Sequence, residues 1–362
     1  MSNIVTRAVG PKTAKTEIKH IISKKRPVFM WGPPGIGKSD IVHQIGVELN
    51  AHVIDVRLSL WDPTDIKGIP YFNTITSKME WAQPAELPDE TLASQHEKII
   101  LFLDELNSAN PAVQAAAYQL ILNRRVGTYV LPDNVYIIAA GNRDSDKGVT
   151  YKMPAPLANR FVHMDLEVNF EDWYSWAVKH KVHKDVVGFL HFSKRDLYNF
   201  DPLSPSKAFA TPRSWAFVSE LLDDELPESQ MLDIVSGTIG EGLALKFGSH
   251  RKMASKLPKP EDILSGKVKE LDERCEISAM YSFTTSLCYE LQEIYSKGDS
   301  KFSQKFNNFL RFAMDNFDTE LVVMGVKLAI TQYQLPIEPD EIESFDEFHE
   351  RFGKYIISST VA

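Results

Sequence analysis

The sequence of 362 residues has little cysteine, only Cys275 and Cys288. No Cys/His cluster at zinc spacing surrounds them, so a disulfide scaffold and a zinc site are both disfavoured and reduced core thiols are expected. Long hydrophobic runs are missing as well. No stretch approaches the roughly 20 apolar residues that span a bilayer, and MSNIVTRAVGPKTAKTEIKHIISKKRP holds no apolar core of signal-peptide length. The expectation is a cytoplasmic chain with no membrane contact. Positive charge is in short supply, with 40 Lys and Arg against 49 Asp and Glu for a net charge of −9. That balance suits a general nucleic-acid binder poorly, although it leaves room for a local basic groove. Internal repeats and low-complexity tracts are also absent.

What is present reads as an ordinary globular chain, 43% hydrophobic and 25% charged, of a length that suggests two or three domains. Short apolar runs at Val28–Trp31, His52–Val56, Ile99–Leu103, Val135–Ala140 and Phe161–Leu166 look like buried strands. Helix-compatible segments lie between them, including Lys38–Asn50 and Pro111–Arg124. Strands alternating with helices predict a parallel sheet covered on both faces. Asn110 followed by Pro111, and Thr211 followed by Pro212, are cap-plus-proline signals for helix starts. Two stretches break the plan. Leu58–Glu90 carries five scattered Pro and Gly residues and reads as a hairpin-bearing insertion, and Val126–Asn134 reads as a second, shorter hairpin. From about Phe170 onward the pattern is mostly helical.

Gly32–Ser39, reading GPPGIGKS, fits G-x-x-x-x-G-K-[ST] in full, after a strand and before a helix. Glycines let backbone N–H groups turn towards phosphate oxygens, and the following helix points its positive end at them. Lys38 is placed to reach the β- and γ-phosphates and the Ser39 hydroxyl to ligate Mg²⁺. Downstream, IILFLDE ends an apolar strand in Asp104 and Glu105. Asp104 is expected to hold Mg²⁺ through water, and Glu105 to act as general base on the attacking water. VYIIAAGN ends the next strand in Asn142, a candidate for contact with the lytic water or the γ-phosphate. Arg160 in LANRF and Arg213 in ATPRSW are either ordinary surface cations or guanidinium groups offered to a γ-phosphate; charge alone does not separate the two readings. Arg124 and Arg125 end a helix, where a capping role fits better than the alternative, a role between subunits.

In this order these elements resemble the AAA+ ATPases, and within them the MoxR-like group, closely over residues 25–215 and loosely beyond. The resemblance implies an α/β fold: a P-loop αβα core with a parallel five-stranded sheet, then a helical lid and a helical C-terminal extension. The corresponding boundaries are 1–168, 169–265 and 266–362, with a helix-2 insert at about 58–90 and a pre-sensor-1 hairpin at about 126–134. It implies ATP and Mg²⁺ as ligands. Gly32, Pro33, Pro34, Gly35, Ile36, Gly37, Lys38, Ser39 and Asp40 become the Walker A nucleotide contacts, and LFLDE becomes Walker B, followed by Asn107. Asn142 matches sensor 1, Arg160 the arginine finger acting in trans, and Arg213 sensor 2 reaching its own subunit's nucleotide. The stretch before Arg213, Phe209-Ala210-Thr211-Pro212, departs mildly from the Ser- or Gly-rich pattern common there.

Family members form rings, commonly hexamers, and many remodel proteins alongside a von Willebrand factor A-type partner. No D-x-S-x-S run is present here, so such a partner is expected to be a separate chain. Trp61, Tyr71, Phe72 and Trp81 in the insertion are either contact residues or its own small core. A motor on nucleic acid is the alternative. The net charge opposes it, and the insertions offer only Lys67 and Lys78 as cations.

Overall fold

The computed structural model describes residues 7–146, 150–222, 225–271 and 275–358. The chain divides into two compact units, 1–172 with 201–204, and 173–200 with 205–362.

The first unit is built on a six-stranded parallel sheet. Its strands are β1 Ala8–Val9, β2 Val28–Trp31, β3 His52–Arg57, β6 Ile99–Asp104, β9 Val135–Gly141 and β10 Val162–Leu166. Two hairpins stand outside it, β4 Ile69–Asn73 with β5 Lys78–Ala82, and β7 Arg125–Val126 with β8 Tyr129–Val130. The helices of this unit are α1 Pro11–Ser23, α2 Lys38–Leu49, α3 Pro63–Lys67, α4 Glu90–Gln95, α5 Pro111–Asn123 and α6 Ala155–Ala158.

Strand order in the sheet is β1-β10-β2-β9-β6-β3. The five strands read from sequence are all there, and the sheet gains β1 at one edge. Two residues carry no periodic signal, which is why a five-stranded sheet was the expectation. Every residue of β6 is buried, as a strand covered on both faces requires. The order matters for chemistry: Arg57 pairs with Asp104, and Gly141 pairs with Trp31, so the C-terminal ends of β3, β6, β9 and β2 line up along one crest. In a parallel α/β sheet that crest is where ligands bind.

Asn110 caps α5, its side chain accepting from Ala112 N at 3.0 Å, with Pro111 in the first turn. The insertion folds as α3, started by a reciprocal Asp62–Asp65 capping box, followed by the β4–β5 hairpin. Gly68 joins them at φ +83, where a Cβ would collide with the Ala82 carbonyl. Trp61 packs against the core and Trp81 is half-buried beside Gly127 of the second hairpin, whereas Tyr71 and Phe72 are exposed.

The second unit is helical: α7 Phe170–Lys179, which begins just before the division, α8 Lys184–Phe192, α9 Pro212–Leu221, α10 Glu228–Ile239, α11 Glu241–Ala254, α12 Pro260–Leu264, α13 Ile277–Ser296, α14 Phe302–Asn316, α15 Thr319–Lys327 and α16 Phe345–Ser358. Its centre is the crossing of α8 and α13. Gly188 faces Ser282 there so closely that any Cβ would strike the α13 backbone. Phe189, Trp215 and Phe247 pack mutually, with centroids 5.4 to 5.5 Å apart. Segments expected as a lid and as a C-terminal extension thus pack together in one unit. Among the described residues, no helix is long and apolar enough to cross a membrane.

Candidate active site

The loop from Gly32 to Gly37 connects β2 to α2 and sits at the crest. Gly35 and Gly37 adopt φ +76 and +90, left-handed values that favour glycine and turn successive N–H groups to one side. A Cβ on Gly32 would come within 2.5 Å of the Ile36 side chain, which is buried beneath the loop. Pro33 and Pro34 stiffen the ascending side. The first N–H groups of α2, those of Lys38, Ser39 and Asp40, have no acceptor within the helix and suit an anion. Asp40 itself is exposed on that first turn.

Lys38 folds back over the loop. Its Nζ donates to Gly32 O at 2.6 Å, to Pro33 O at 3.0 Å and to Asn142 Oδ1 at 3.1 Å. With its oxygen engaged by Lys38, the Asn142 amide has its Nδ2 hydrogens as its remaining donors. Ser39 Oγ donates to Asp104 Oδ2 at 3.1 Å, and the Glu105 N–H donates to Asp104 Oδ1 at 2.9 Å. Burial pushes the Asp104 carboxyl above its ordinary range; the hydrogen bonds from Ser39 and Glu105 and the charge of Lys38 pull it partly back. A buried, desolvated carboxylate beside a hydroxyl is an all-oxygen pair suited to a hard divalent cation such as Mg²⁺. Ser39 and Asp104 therefore fit the metal expected of them, and the loop's glycines fit a phosphate chain.

Glu105 occupies the left-handed region at φ 55, unusual for a residue with a Cβ and worth roughly 1–2 kcal/mol of strain. The turn swings its side chain away from the sheet, where Ser59 Oγ donates to Oε2 and Arg57 Nε lies 3.9 Å from Oε1. Ser59 and Arg57 come from the end of β3 and the turn into the insertion. Sequence reasoning passed over both, since only the pairing of β3 with β6 brings them to Glu105.

Arg143 was also missed. Its Nε donates to Asp165 Oδ1 at 3.0 Å and its guanidinium to Leu166 O at 2.8 Å, tying the end of β9 to the end of β10 across the start of the P-loop. Its place next to Asn142 was the only available signal.

The two arginines singled out for a γ-phosphate are exposed, and neither guanidinium has a hydrogen-bond or ionic partner among the described residues. Arg160 follows α6 on a well-anchored turn. The neighbouring Phe161 is buried edge-on against Phe29, with centroids 5.4 Å apart, and His163 Nε2 bonds Ala158 O at 2.7 Å while its Nδ1 accepts from Trp31 Nε1. Arg213 sits in the first turn of α9 in the second unit, behind a Thr211–Ser214 capping box. Arg124, by contrast, is committed. It ends α5 in the left-handed conformation and donates to Pro132 O at 2.5 Å and Val135 O at 3.0 Å, so it braces the second hairpin. Arg125 bonds Gly127 O at 3.1 Å.

Residues 27–161 match the family model described as AAA domain (dynein-related subfamily). No curated protein matches the sequence. Solved structures similar to this chain include a candidate ATPase from Cytophaga hutchinsonii, at 12% identity over 98% of this chain and 89% of that one, with a TM-score of 0.35. The Holliday junction branch migration motor RuvB of Thermotoga maritima aligns at 15% identity over 97% and 88%, with a TM-score of 0.33. NtrX of Brucella abortus aligns at 14% identity over 73% and 64%, with a TM-score of 0.38. Overlaps this loose transfer no residue roles.

Proposed function

We propose, from the match of residues 27–161 to an AAA domain of the dynein-related subfamily, that the chain is an ATP-hydrolysing, MoxR-like ring motor that remodels a protein partner. One observation carries the reading: Lys38, Ser39, Asp104 and Asn142 are joined by hydrogen bonds along one crest, around a glycine loop shaped for phosphate.

In this reading the N–H groups of Gly35–Asp40 bind the phosphates and Lys38 moves its charge onto the β- and γ-oxygens. Ser39 and Asp104 would hold Mg²⁺, which would supply positive charge against the phosphate oxygens. Glu105 exchanges its bond to Ser59 for the attacking water and takes its proton. Asn142 offers its Nδ2 hydrogens to the γ-phosphate or the water, and the bond from the γ-phosphorus to the bridging oxygen breaks to give ADP and phosphate. Arg160, exposed on a firm turn and with no guanidinium partner among the described residues, is suited to reach the γ-phosphate of a neighbouring subunit in a ring, commonly a hexamer. Arg213 takes the sensor-2 role on its own subunit's nucleotide, from a lid within 169–265, and 266–362 forms a C-terminal extension.

A protein load is favoured over nucleic acid by the surface of the insertion. Phe72, Ile75 and Met79 are 59%, 92% and 62% exposed on the β4–β5 hairpin, and the sequence of the insertion, 58–90, contains only Lys67 and Lys78 as cations. A separate von Willebrand factor A-type chain is the partner class that fits the MoxR-like placement.

The test is Glu105→Gln. Turnover should fall by roughly 100-fold or more, nucleotide affinity should stay within a few-fold, and added ATP should shift the variant to a larger oligomer in sedimentation. Wild-type turnover, or an ATP-loaded monomer, overturns the reading.

A further inference from the structure

Asn107 lies in the short turn Leu106–Ser108 that follows Glu105, and it is 1% exposed. Its Nδ2 donates to the backbone carbonyl of Asn142 at 2.7 Å, and its own carbonyl accepts from Tyr151 N at 2.7 Å. Its Oδ1 is buried and has no hydrogen-bond partner. That oxygen faces Gly141, where any Cβ would overlap it; a Cβ there would also lie 2.8 Å from Phe29. Residue 141 is therefore held to glycine by the amide of Asn107, at the last residue of β9.

A group this arranged is poor at stabilising a fold. Leaving the buried Oδ1 without a partner works against folding and offsets much of what the Nδ2 bond to the Asn142 carbonyl contributes. What Asn107 does supply is a fixed point for Asn142. The Asn142 carbonyl is gripped by Asn107, and the Asn142 side chain is gripped by Lys38. Before nucleotide binds, backbone and amide are thus both held; once Lys38 turns to the phosphates, the bond from Asn107 is the one that keeps Asn142 in place. The same contact ties the turn carrying Asp104 and Glu105 to the strand end carrying Asn142, so the carboxylates and the amide keep one spacing.

We propose that Asn107 is a positioning residue for hydrolysis, acting through Asn142, with Gly141 retained to make room for it. The proposal rests on the assignment of Asn142 to the γ-phosphate or lytic water.

The experiment measures steady-state ATP turnover and nucleotide binding in Asn107→Ala, Asn142→Ala, the double variant and Asn107→Asp. Asn107→Ala should lower kcat by on the order of tenfold while KM and nucleotide affinity stay within about twofold of wild type. The double variant should be no slower than Asn142→Ala alone, since both changes remove one function. Asn107→Asp keeps the shape but replaces the donor with an acceptor facing a carbonyl, so it should be at least as slow as the alanine. Thermal midpoints taken alongside identify any variant that fails to fold. For such a variant, Gly141→Ala is the substitute, because it displaces the same amide and should give the same kcat-only loss.

Three results overturn the proposal: wild-type kcat in Asn107→Ala, losses that multiply in the double variant, or an Asp variant as fast as wild type. The underlying assignment fails separately, when Asn142→Ala itself turns over normally.

Discussion

Asp104 and His250, one in each unit, are both buried and ionisable, and burial pushes their values in opposite directions. Asp104, at the sheet crest of the first unit, has its carboxyl raised; His250, inside the helical second unit, has its imidazole lowered to about 4. The physics is the same, since a low-polarity surround favours the neutral form of an acid and of a base alike. The neighbours differ. Both oxygens of Asp104 accept hydrogen bonds, and Lys38 adds opposing charge. His250 bonds Ser282 Oγ through Nε2 at 2.5 Å, leaves Nδ1 without a partner, and packs edge-on against Phe189, with Asp185 the one charge that pulls its value back up. Burial by itself therefore does not mark a site. Convergence of donors and charges on the buried group does, and of these two groups Asp104 has it.

The largest effect expected is at the crest. Asp104→Asn should reduce turnover at saturating nucleotide by roughly 100-fold or more, because in the proposed role charge stabilisation worth several kcal/mol would depend on that carboxylate. The nucleotide-free protein should melt no lower than wild type. An amide still accepts from Glu105 N and donates to Ser39 Oγ, and it avoids the desolvated charge. The sign follows from linkage: for an acid whose folded value is raised, stability is greatest below its ordinary value near 3.8 and declines as pH rises through the folded value. A lower melting point in Asp104→Asn would place Asp104 among ordinary structural groups and break the contrast.

A smaller effect belongs to His250. Between its folded value of about 4 and its ordinary value of 6.5, the unfolded chain takes up a proton that the fold refuses. Stability should fall as pH drops through that window, by about 2 kcal/mol at pH 5 from this group, and be flat above pH 7. His250→Gln has no proton to gain and should flatten that limb in denaturant titrations at pH 5, 6 and 7. An unchanged difference between pH 5 and 7 would clear His250 of the role and leave Asp104 without its counterpart.

How far the sequence revealed this site depends on what each role demands. That the P-loop, the end of β6 and Asn142 meet was legible because the residue types and spacing that phosphate and metal chemistry would require are local patterns. Asn107 was noticed only as the residue after Walker B, while Arg57, Ser59 and Arg143 were not noticed at all. Their roles depend on which strand ends are neighbours, a property of the order β10-β2-β9-β6-β3 and not of any local pattern. Strand β1 escaped because two residues are too few for a period. Among the aromatics of the insertion, composition did not sort Trp61 and Trp81, which are half-buried, from Tyr71 and Phe72, which are exposed; contacts with the core and with Gly127 did.

The insertion also supplies the smallest expected effect. Its β4–β5 hairpin is held by a polar clasp: Tyr71 OH, Asn73 Nδ2 and Thr76 Oγ1 all donate to Glu80, at 3.0, 2.9 and 2.7 Å, and Asn73 Oδ1 accepts from Ile75 N to close the turn. Phe72, Ile75 and Met79 take no part in that clasp and bury little surface, so their side chains contribute little to folding. The double change Phe72→Ser and Ile75→Ser should leave the melting point nearly unmoved, as exposed substitutions typically do, within about 0.5 kcal/mol, and basal turnover within about twofold of wild type. Turnover stimulated by a protein load should fall instead, because an exposed apolar tip that the fold does not need is suited to contact. If the pair of serines slowed basal turnover as much as Asp104→Asn does, hairpin and crest would be one machine part. The hydrogen bond from Ser59, at the entry to the insertion, onto Glu105 is the contact through which that coupling would run.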